Sequence, residues 1–162
     1  MTKFKFKKNK IFIISFLLFV FILNIILGIC VSNNFDIEII EIDYKDNITP
    51  INILHISDLH YPDNGISLDI LCNKIDSINP DLIFLTGDII DRNTSLKDIN
   101  QLSDFFAKIN KNNNTYAVLG NHETGNKYLQ RYNDIINENN IILLNNTFIK
   151  IEILNKKIVI AG

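Results

Sequence analysis

Short apolar runs and segments of helical periodicity follow one another along most of the chain. Runs typical of β-strands, continuous or alternating, occupy residues 51–57, 81–86, 115–119, 141–144, 148–154 and 157–161. Between the first four runs, apolar residues recur every three or four positions, which predicts amphipathic helices near residues 68–78, 96–109 and 128–136. This alternation predicts a layered α/β domain with right-handed crossovers, and the run at 51–57 predicts a strand buried on both faces.

The first 31 residues have a different pattern. Five lysines lie within the first ten residues, and residues 11–31 are apolar except at Ser15, Asn24 and Gly28. About 20 apolar residues at roughly 1.5 Å each match the ~30 Å hydrocarbon core of a bilayer, so the run predicts a transmembrane signal anchor. Because lysines that precede a membrane helix stay in the cytoplasm, we expect a single-pass protein of the cell membrane with its main domain outside the cytoplasm.

Two alternatives to the anchor stay open, a cleaved signal peptide near Gly28 and Cys30 or a lipid-modified Cys30. The predicted organisation is a basic cytoplasmic tail at 1–10, the anchor at 11–31, a lead-in at 32–50 and the main domain at 51–162. The lead-in is expected to be rich in strands, because residues 35–44 alternate with one change of phase. That pattern is typical of two short strands or of one bulged strand.

Composition narrows the classes of partner. The chain has 162 residues, of which 47% are hydrophobic, enough for one modest core beside an anchor. Its formal net charge of -2 provides no basic field, so no nucleic-acid partner is expected. Cys30 and Cys72 are too few for a disulfide framework or a cysteine-based zinc site.

Polar blocks follow three of the predicted strands. These blocks are Asp58-Leu59-His60, Gly87-Asp88 and Gly120-Asn121-His122. Since the carboxyl ends of parallel strands share one edge of a sheet, the blocks should converge on one site. Carboxylate, amide and imidazole together suit a pair of divalent transition metals.

This ligand set matches the chemistry of phosphate-ester hydrolysis, in which two metals neutralise phosphoryl oxygens and activate a water. Asp88 can bridge both ions with its two oxygens. Asp58 and His60, one residue apart, would point to the same side of an extended segment and hold one ion. Asn121 would hold the other ion, and His122 would point toward the substrate and protonate the leaving group.

Extended forms of the blocks resemble a known family. Asp58-x-His60, Gly87-Asp88-x-x-Asp91-Arg92 and Gly120-Asn121-His122-Glu123 are similar to the first three motifs of the calcineurin-like metallophosphoesterases. The residues that flank these motifs resemble those of a membrane-anchored bacterial branch of the family. That branch includes lipid-head-group and UDP-diacylglucosamine pyrophosphohydrolases. The resemblance implies a four-layer α/β/β/α sandwich with the ligand roles given above. We expect Asp91, Arg92 and Glu123 to support the ligands, with substrate contact as the alternative for Asp91 and Arg92 and a solvated side chain for Glu123.

The family takes its remaining metal ligands from a later Gly-His element and a later Gly-His-x-His element. This chain has three histidines and ends at Gly162, directly after a predicted strand. We therefore expect a fragment, the N-terminal half of the sandwich. The predicted activity is hydrolysis of a phosphomonoester, phosphodiester or pyrophosphate, lipid- or nucleotide-linked, with Mn, Fe or Zn. A truncated, inactive membrane-bound relict is the main alternative, and the acidic balance and anchor argue against a nuclease of the same superfamily.

Overall fold

The computed structural model describes residues 2–32, 37–42, 49–112 and 114–162, and the side chains of helix α1 over residues 12–27. The chain divides into two compact units, Met1–Ile37 and Glu38–Gly162. The first unit contains helix α1, Thr2–Ser32, in which every described side chain is exposed. Among the described residues, no helix reaches the combined length and hydropathy of a membrane span, so the predicted transmembrane helix is not confirmed.

The predicted lead-in strands are not found where they can be assessed. Residues 37–42 form no strand, and residues 33–36 and 43–48 lie outside the described residues. Ile39, Ile40 and Ile42 are 72–86% exposed, so their side chains have no sheet surface to pack on. Alternation alone does not make a strand when a pairing partner and a buried face are missing.

Four parallel strands form the main sheet of the second unit, in the order β1-β2-β3-β4. They are β1 Ile53–Ile56, β2 Leu82–Leu85, β3 Thr115–Ala117 and β4 Ile142–Leu143. The connecting segments contain α2 Leu68–Ile78, α3 Leu96–Ile109, the short α4 Asn121–Gly125 and α5 Leu129–Glu138. This arrangement confirms the predicted α/β fold with a parallel sheet.

Local signals in the sequence set the helix bounds. Ser95 caps α3, because its hydroxyl oxygen accepts the Asp98 N–H at 3.2 Å. Helix α2 ends at Asn79, whose φ of 49° is left-handed, and Pro80 cannot continue the helix. The apolar faces of these helices are buried as their spacing predicts, at Leu71, Cys72, Ile75, Ile99, Leu102, Phe105, Phe106, Ile109, Tyr132, Ile135 and Ile136.

A second sheet packs on one face of the first. It is the antiparallel hairpin of β5, Phe148–Ile153, and β6, Lys156–Ala161. Ile160 of this hairpin lies in a core cluster with Leu82, Tyr116 and Leu144 of the main sheet. Side chains alternate along β2, so Ile83 and Leu85, which are also buried, belong to the opposite face.

The prediction for the first strand is wrong in one respect. Among the residues that the structure describes, strand β1 pairs with β2 alone, at the edge of the four-stranded sheet, and Ile53 is 54% exposed. Its apolar run therefore does not indicate burial on both faces. Strand order depends on pairing between distant segments, which the composition of a single run does not encode.

We predict that the core contributes most of the stability through aromatic residues such as Phe106. Phe106 is fully buried, whereas Phe148 is 61% exposed on the hairpin. Phe106→Ala should lower the free energy of unfolding by about 3–5 kcal/mol, because it leaves a cavity beside Tyr132. The matched variant Phe148→Ala should cost less than ~1 kcal/mol. Chemical denaturation of the two variants measures the difference, and equal losses would contradict this assignment of the core.

Candidate metal centre

Backbone hydrogen bonds join the loop after β1 to the loop after β2. The Asp58 N–H donates to the Gly87 carbonyl at 3.1 Å, and the His60 N–H donates to the Asp88 carbonyl at 2.9 Å. The Tyr61 N–H continues the series to Ile89 at 2.9 Å. The parallel pairing of the strands thus extends into the loops, and the two polar blocks lie side by side.

Apolar residues between the polar ones anchor both loops. Leu59 is buried between Asp58 and His60, and Ile89 and Ile90 after Asp88 are fully buried. Burying a side chain of this size is favourable by about 1.5–3 kcal/mol, which holds each loop against the core. The polar side chains next to them are left at the sheet edge.

The backbone of these loops is left-handed at several residues. Asp58, His60 and Asp88 have φ of 53°, 44° and 53°, and Gly87 has φ of 95°. This corrects the expectation that Asp58 and His60 share one side of an extended segment. Their side chains are nevertheless close, with His60 Nε2 3.9 Å from Asp58 Oδ1. Left-handed non-glycine residues cost about 1–2 kcal/mol each, so neighbouring contacts must hold them in place.

Three titratable side chains form the centre of the site. One ligand atom each of His60, Asp88 and His122 lies within 4.8 Å of the others, and all three residues are half-buried. The two imidazole rings meet edge to face with centroids 4.7 Å apart. Two imidazole nitrogens and a carboxylate oxygen are a ligand set for a divalent transition metal, so the residues fit the predicted cofactor.

Close backbone approach fixes the Asp88 carboxylate. Its Oδ1 accepts the His122 N–H at 3.0 Å. A Cβ added at Gly120 would overlap that carboxylate and would lie 2.6 Å from the Asp88 backbone nitrogen. Only glycine leaves room here, which explains why glycine precedes the Asn-His pair.

Asp91 contacts both histidines. Its Oδ2 lies 3.1 Å from His122 Nδ1 and 3.5 Å from His60 Nδ1. The Asn93 N–H bond lowers the pKa of the Asp91 carboxyl, and the charges of His122 and His60 lower it further. The Arg92 N–H also faces His122 Nδ1, at 3.4 Å. We assign a proton to Nδ1 because the contact with the charged Asp91 is shorter, which leaves Nε2 as the ring nitrogen available to substrate.

Glu123 is fully buried and accepts four backbone N–H groups. Its Oε2 accepts those of Asp88 at 2.9 Å and Gly120 at 2.8 Å. Its Oε1 accepts those of Ile89 at 2.6 Å and Ile90 at 3.1 Å. The burial of Glu123 and its bonds to both loops agree with the prediction that it supports the ligands. The alternative, a solvated side chain, is wrong.

Three of the other predicted residues, Asp58, Asn121 and Arg92, lie at the exposed rim of the site. Asp58 has a side chain 69% exposed that accepts the Ser57 hydroxyl at 2.5 Å. Asn121 is exposed at the start of α4, and Arg92 is exposed with its side chain against Gly125. His122 lies in the central cluster with His60 and Asp88. The ligand roles of Asp58 and Asn121 stay predictions.

Sequence reasoning missed two buried residues that brace the Asp91 loop. The Thr94 hydroxyl accepts the Asp91 N–H at 2.8 Å and donates to the Tyr61 carbonyl at 2.9 Å. The Asn126 amide donates to the carbonyls of Asp91 at 2.9 Å and Thr94 at 3.1 Å. Thr94 has the sequence signal of a helix cap and Asn126 that of a turn, so neither residue type identifies the role.

Comparison with known proteins decides the family. Residues 51–161 match the calcineurin-like phosphoesterase family. The chain belongs to this family. Calcineurin-like phosphoesterases are hydrolases that act on phosphate esters and bind divalent metals, in agreement with the centre formed by His60, Asp88 and His122.

Three curated relatives are bacterial. The chain is 33% identical over 127 residues to the uncharacterized metallophosphoesterase YkoQ of Bacillus subtilis, covering 74% of this chain and 47% of YkoQ. It is 35% identical over 75 residues to the UDP-2,3-diacylglucosamine pyrophosphatase LpxG of Chlamydia muridarum, covering 45% and 22% of the two chains. A metallophosphoesterase of Campylobacter jejuni is 30% identical over 93 residues, covering 54% and 24%. The chain thus spans less than half the length of each relative.

We predict that Gly120→Ala displaces the Asp88 carboxylate and removes most of the Mn²⁺ binding. The overpacking should also cost about 1–3 kcal/mol of stability. Gly125→Ala is the matched control, because its Cβ would meet the Arg92 side chain, whose far end can move. Isothermal titration with Mn²⁺ compares the variants. Equal Mn²⁺ affinity in the Gly120 variant and the control would show that the close approach to Asp88 does not matter for the site.

Proposed function

We propose that the chain is a metal-dependent phosphoesterase that hydrolyses a phosphomonoester, phosphodiester or pyrophosphate. The observation that carries this proposal is the cluster of His60, Asp88 and His122 at the carboxyl edge of the parallel sheet. Membership in the calcineurin-like phosphoesterase family supports the same reaction class.

The cofactor in this proposal is a pair of divalent ions, Mn, Fe or Zn. Asp58 and His60 would hold one ion, Asn121 the other, and Asp88 both. Bound there, the ions would neutralise phosphoryl oxygens and acidify a water to make the nucleophile. The half-buried Asp88, held by the His122 N–H, supplies the negative charge at the middle of the site.

His122 is the proposed proton donor to the leaving oxygen. The Asp91 carboxylate lies 3.1 Å from its Nδ1 and thereby orients the ring. A protonated His122 can donate from Nε2 to the leaving group, a contribution of about 10²–10⁴-fold for poor leaving groups. The exposed Arg92 supplies the cation that attracts the substrate phosphate.

The substrate class is narrower in our proposal than in the family. The relative LpxG is named a UDP-2,3-diacylglucosamine pyrophosphatase, and its similarity covers 45% of this chain. We propose a lipid- or nucleotide-linked phosphate as substrate on this basis. A lipid-linked substrate agrees with a membrane location. That location is favoured by the apolar segment 11–31, which follows five lysines.

The exposed apolar surface of helix α1 supports the same location. Its large apolar side chains between Phe12 and Leu27 are 36–74% exposed. A helix that is apolar on all sides is normally covered by protein or by lipid. We propose that lipid covers it and that the phosphoesterase domain lies outside the cytoplasm.

We predict that Asp88→Asn abolishes hydrolysis by removing the bridging charge. The full chain in Mn²⁺ should hydrolyse an aryl phosphodiester or a lipid-linked pyrophosphate, and the variant should lose at least about 10²-fold in kcat/KM. Asp134→Asn on α5, whose half-buried carboxylate accepts the Gln130 side-chain amide, is the matched control and should retain the wild-type rate. Wild-type turnover in Asp88→Asn would contradict the assigned role, and no turnover in the wild type with either substrate would contradict the proposed activity.

The proposed location is tested with reporters fused after Tyr44. An alkaline-phosphatase fusion should be active, since that enzyme requires an oxidising compartment for its disulfides. A fluorescent reporter that folds only in the cytoplasm should remain dark at the same position. The reverse pattern would place the domain, and its substrate, in the cytoplasm.

A further inference from the structure

Glu123 joins two loops that carry the proposed ligands. Three of its four hydrogen bonds reach the consecutive N–H groups of Asp88, Ile89 and Ile90, and the fourth reaches Gly120. Asp88 belongs to the loop after β2, whereas Gly120 directly precedes the Asn-His pair after β3. One carboxylate therefore fixes the distance between Asp88 and His122.

The alternative partners of these N–H groups are few. Ile89 and Ile90 are fully buried, so their backbone groups cannot exchange Glu123 for water without opening the loop. A buried N–H without an acceptor costs about 1–3 kcal/mol. Bonds to a charged acceptor are roughly twice as strong as neutral ones, so the four bonds form a stiff unit.

A buried tyrosine of helix α5 lies near the Glu123 carboxylate. Tyr132 of α5 is fully buried, and burial together with the nearby charge of Glu123 raises its pKa well above the usual range. The phenol therefore stays neutral and adds no competing charge. Helix α5 and the Glu123 carboxylate thus support the ligand loops from the core side.

We infer that Glu123 is a positioning residue that sets the ligand Asp88 and the proton donor His122 in their places before any metal binds. This inference rests on the proposed metal site and says how the support expected of Glu123 acts, namely through the loop backbone. Loops with left-handed residues such as Asp88 are held by Glu123 rather than by the metal. Metal affinity should then depend on Glu123, as it does on residues that orient ligands elsewhere.

Glu123→Gln is the sharpest variant, because it keeps the size of the side chain. Each carboxylate oxygen accepts two N–H groups, whereas the amide nitrogen of glutamine would face two of them as a donor. We expect the Mn²⁺ affinity of the full chain to fall about 10–100-fold. Glu152→Gln makes the same chemical change on an exposed residue of β5 and should leave Mn²⁺ affinity unchanged.

A role limited to fold stability is separated from positioning by two thermal melts of each variant. In chelator, the melting temperature reports the fold alone, and the rise on adding Mn²⁺ reports metal binding. We expect the rise to shrink in Glu123→Gln. If Glu123→Gln melts lower in chelator but gains as much from Mn²⁺ as the wild type, the residue is structural and the inference is wrong.

Hydrogen exchange of the wild type in chelator tests the inference without any variant. The amides of Asp88, Ile89, Ile90 and Gly120 should exchange at least about 100-fold more slowly than that of the exposed Lys127. If they become protected only when Mn²⁺ is added, the metal organises the loops and the inference fails. Slow exchange in chelator without any Mn²⁺ binding would instead support the role of Glu123 in loop geometry and contradict the proposed metal site.

Discussion

The parallel register of β1, β2 and β3 is the constraint on which the rest of the site depends. Ile56 pairs with Leu85, and Leu85 pairs with Ala117, so the three strands end at the same edge. The polar blocks that follow these strands therefore lie together at that edge. A slip of one residue in β2 would exchange the faces of Leu82 and Ile83, so the side chains on both faces of the strand would lose their packing. The core that fixes the register therefore also places the site.

Two kinds of contact then convert neighbouring loops into a ligand set. Buried apolar residues, Leu59, Ile89 and Ile90, tie the loops to the core, while loop-to-loop bonds continue the strand pairing beyond the sheet. The carboxylate of Glu123 adds a link from the loop of Asp88 to that of His122. Left-handed backbone at Asp58, His60 and Asp88 costs free energy that these contacts offset. The result is a site whose geometry is present in the protein itself.

Much of the fold follows from sequence because the decisive signals are local. The strands at Leu82 and Thr115, the helix capped by Ser95 and the stop at Pro80 lie where periodicity and turn chemistry predict them. The position of β1 at the sheet edge does not follow, because strand order is a property of distant pairings. The predicted strands of the lead-in fail over residues 37–42 for a related reason, since alternation without a partner surface carries little free energy.

The sequence likewise predicts some residues of the candidate site and not others. Motif spacing is sufficient to single out His60, Asp88 and His122, which the fold brings together. It predicts a supporting role for Glu123 but not its four backbone partners, and it misses Thr94 and Asn126, because backbone groups of distant loops have no sequence signature. The extended geometry expected for Asp58 and His60 also fails, since the bonds to the neighbouring loop impose left-handed backbone.

Anomalous diffraction from crystals of the full chain grown with Mn²⁺ tests the central claim most directly, namely that these loops form one metal centre. The account predicts an anomalous peak at the manganese edge within coordination distance of Asp88 and His60. A peak bound elsewhere, or none while the cluster keeps its geometry at saturating Mn²⁺, would contradict it.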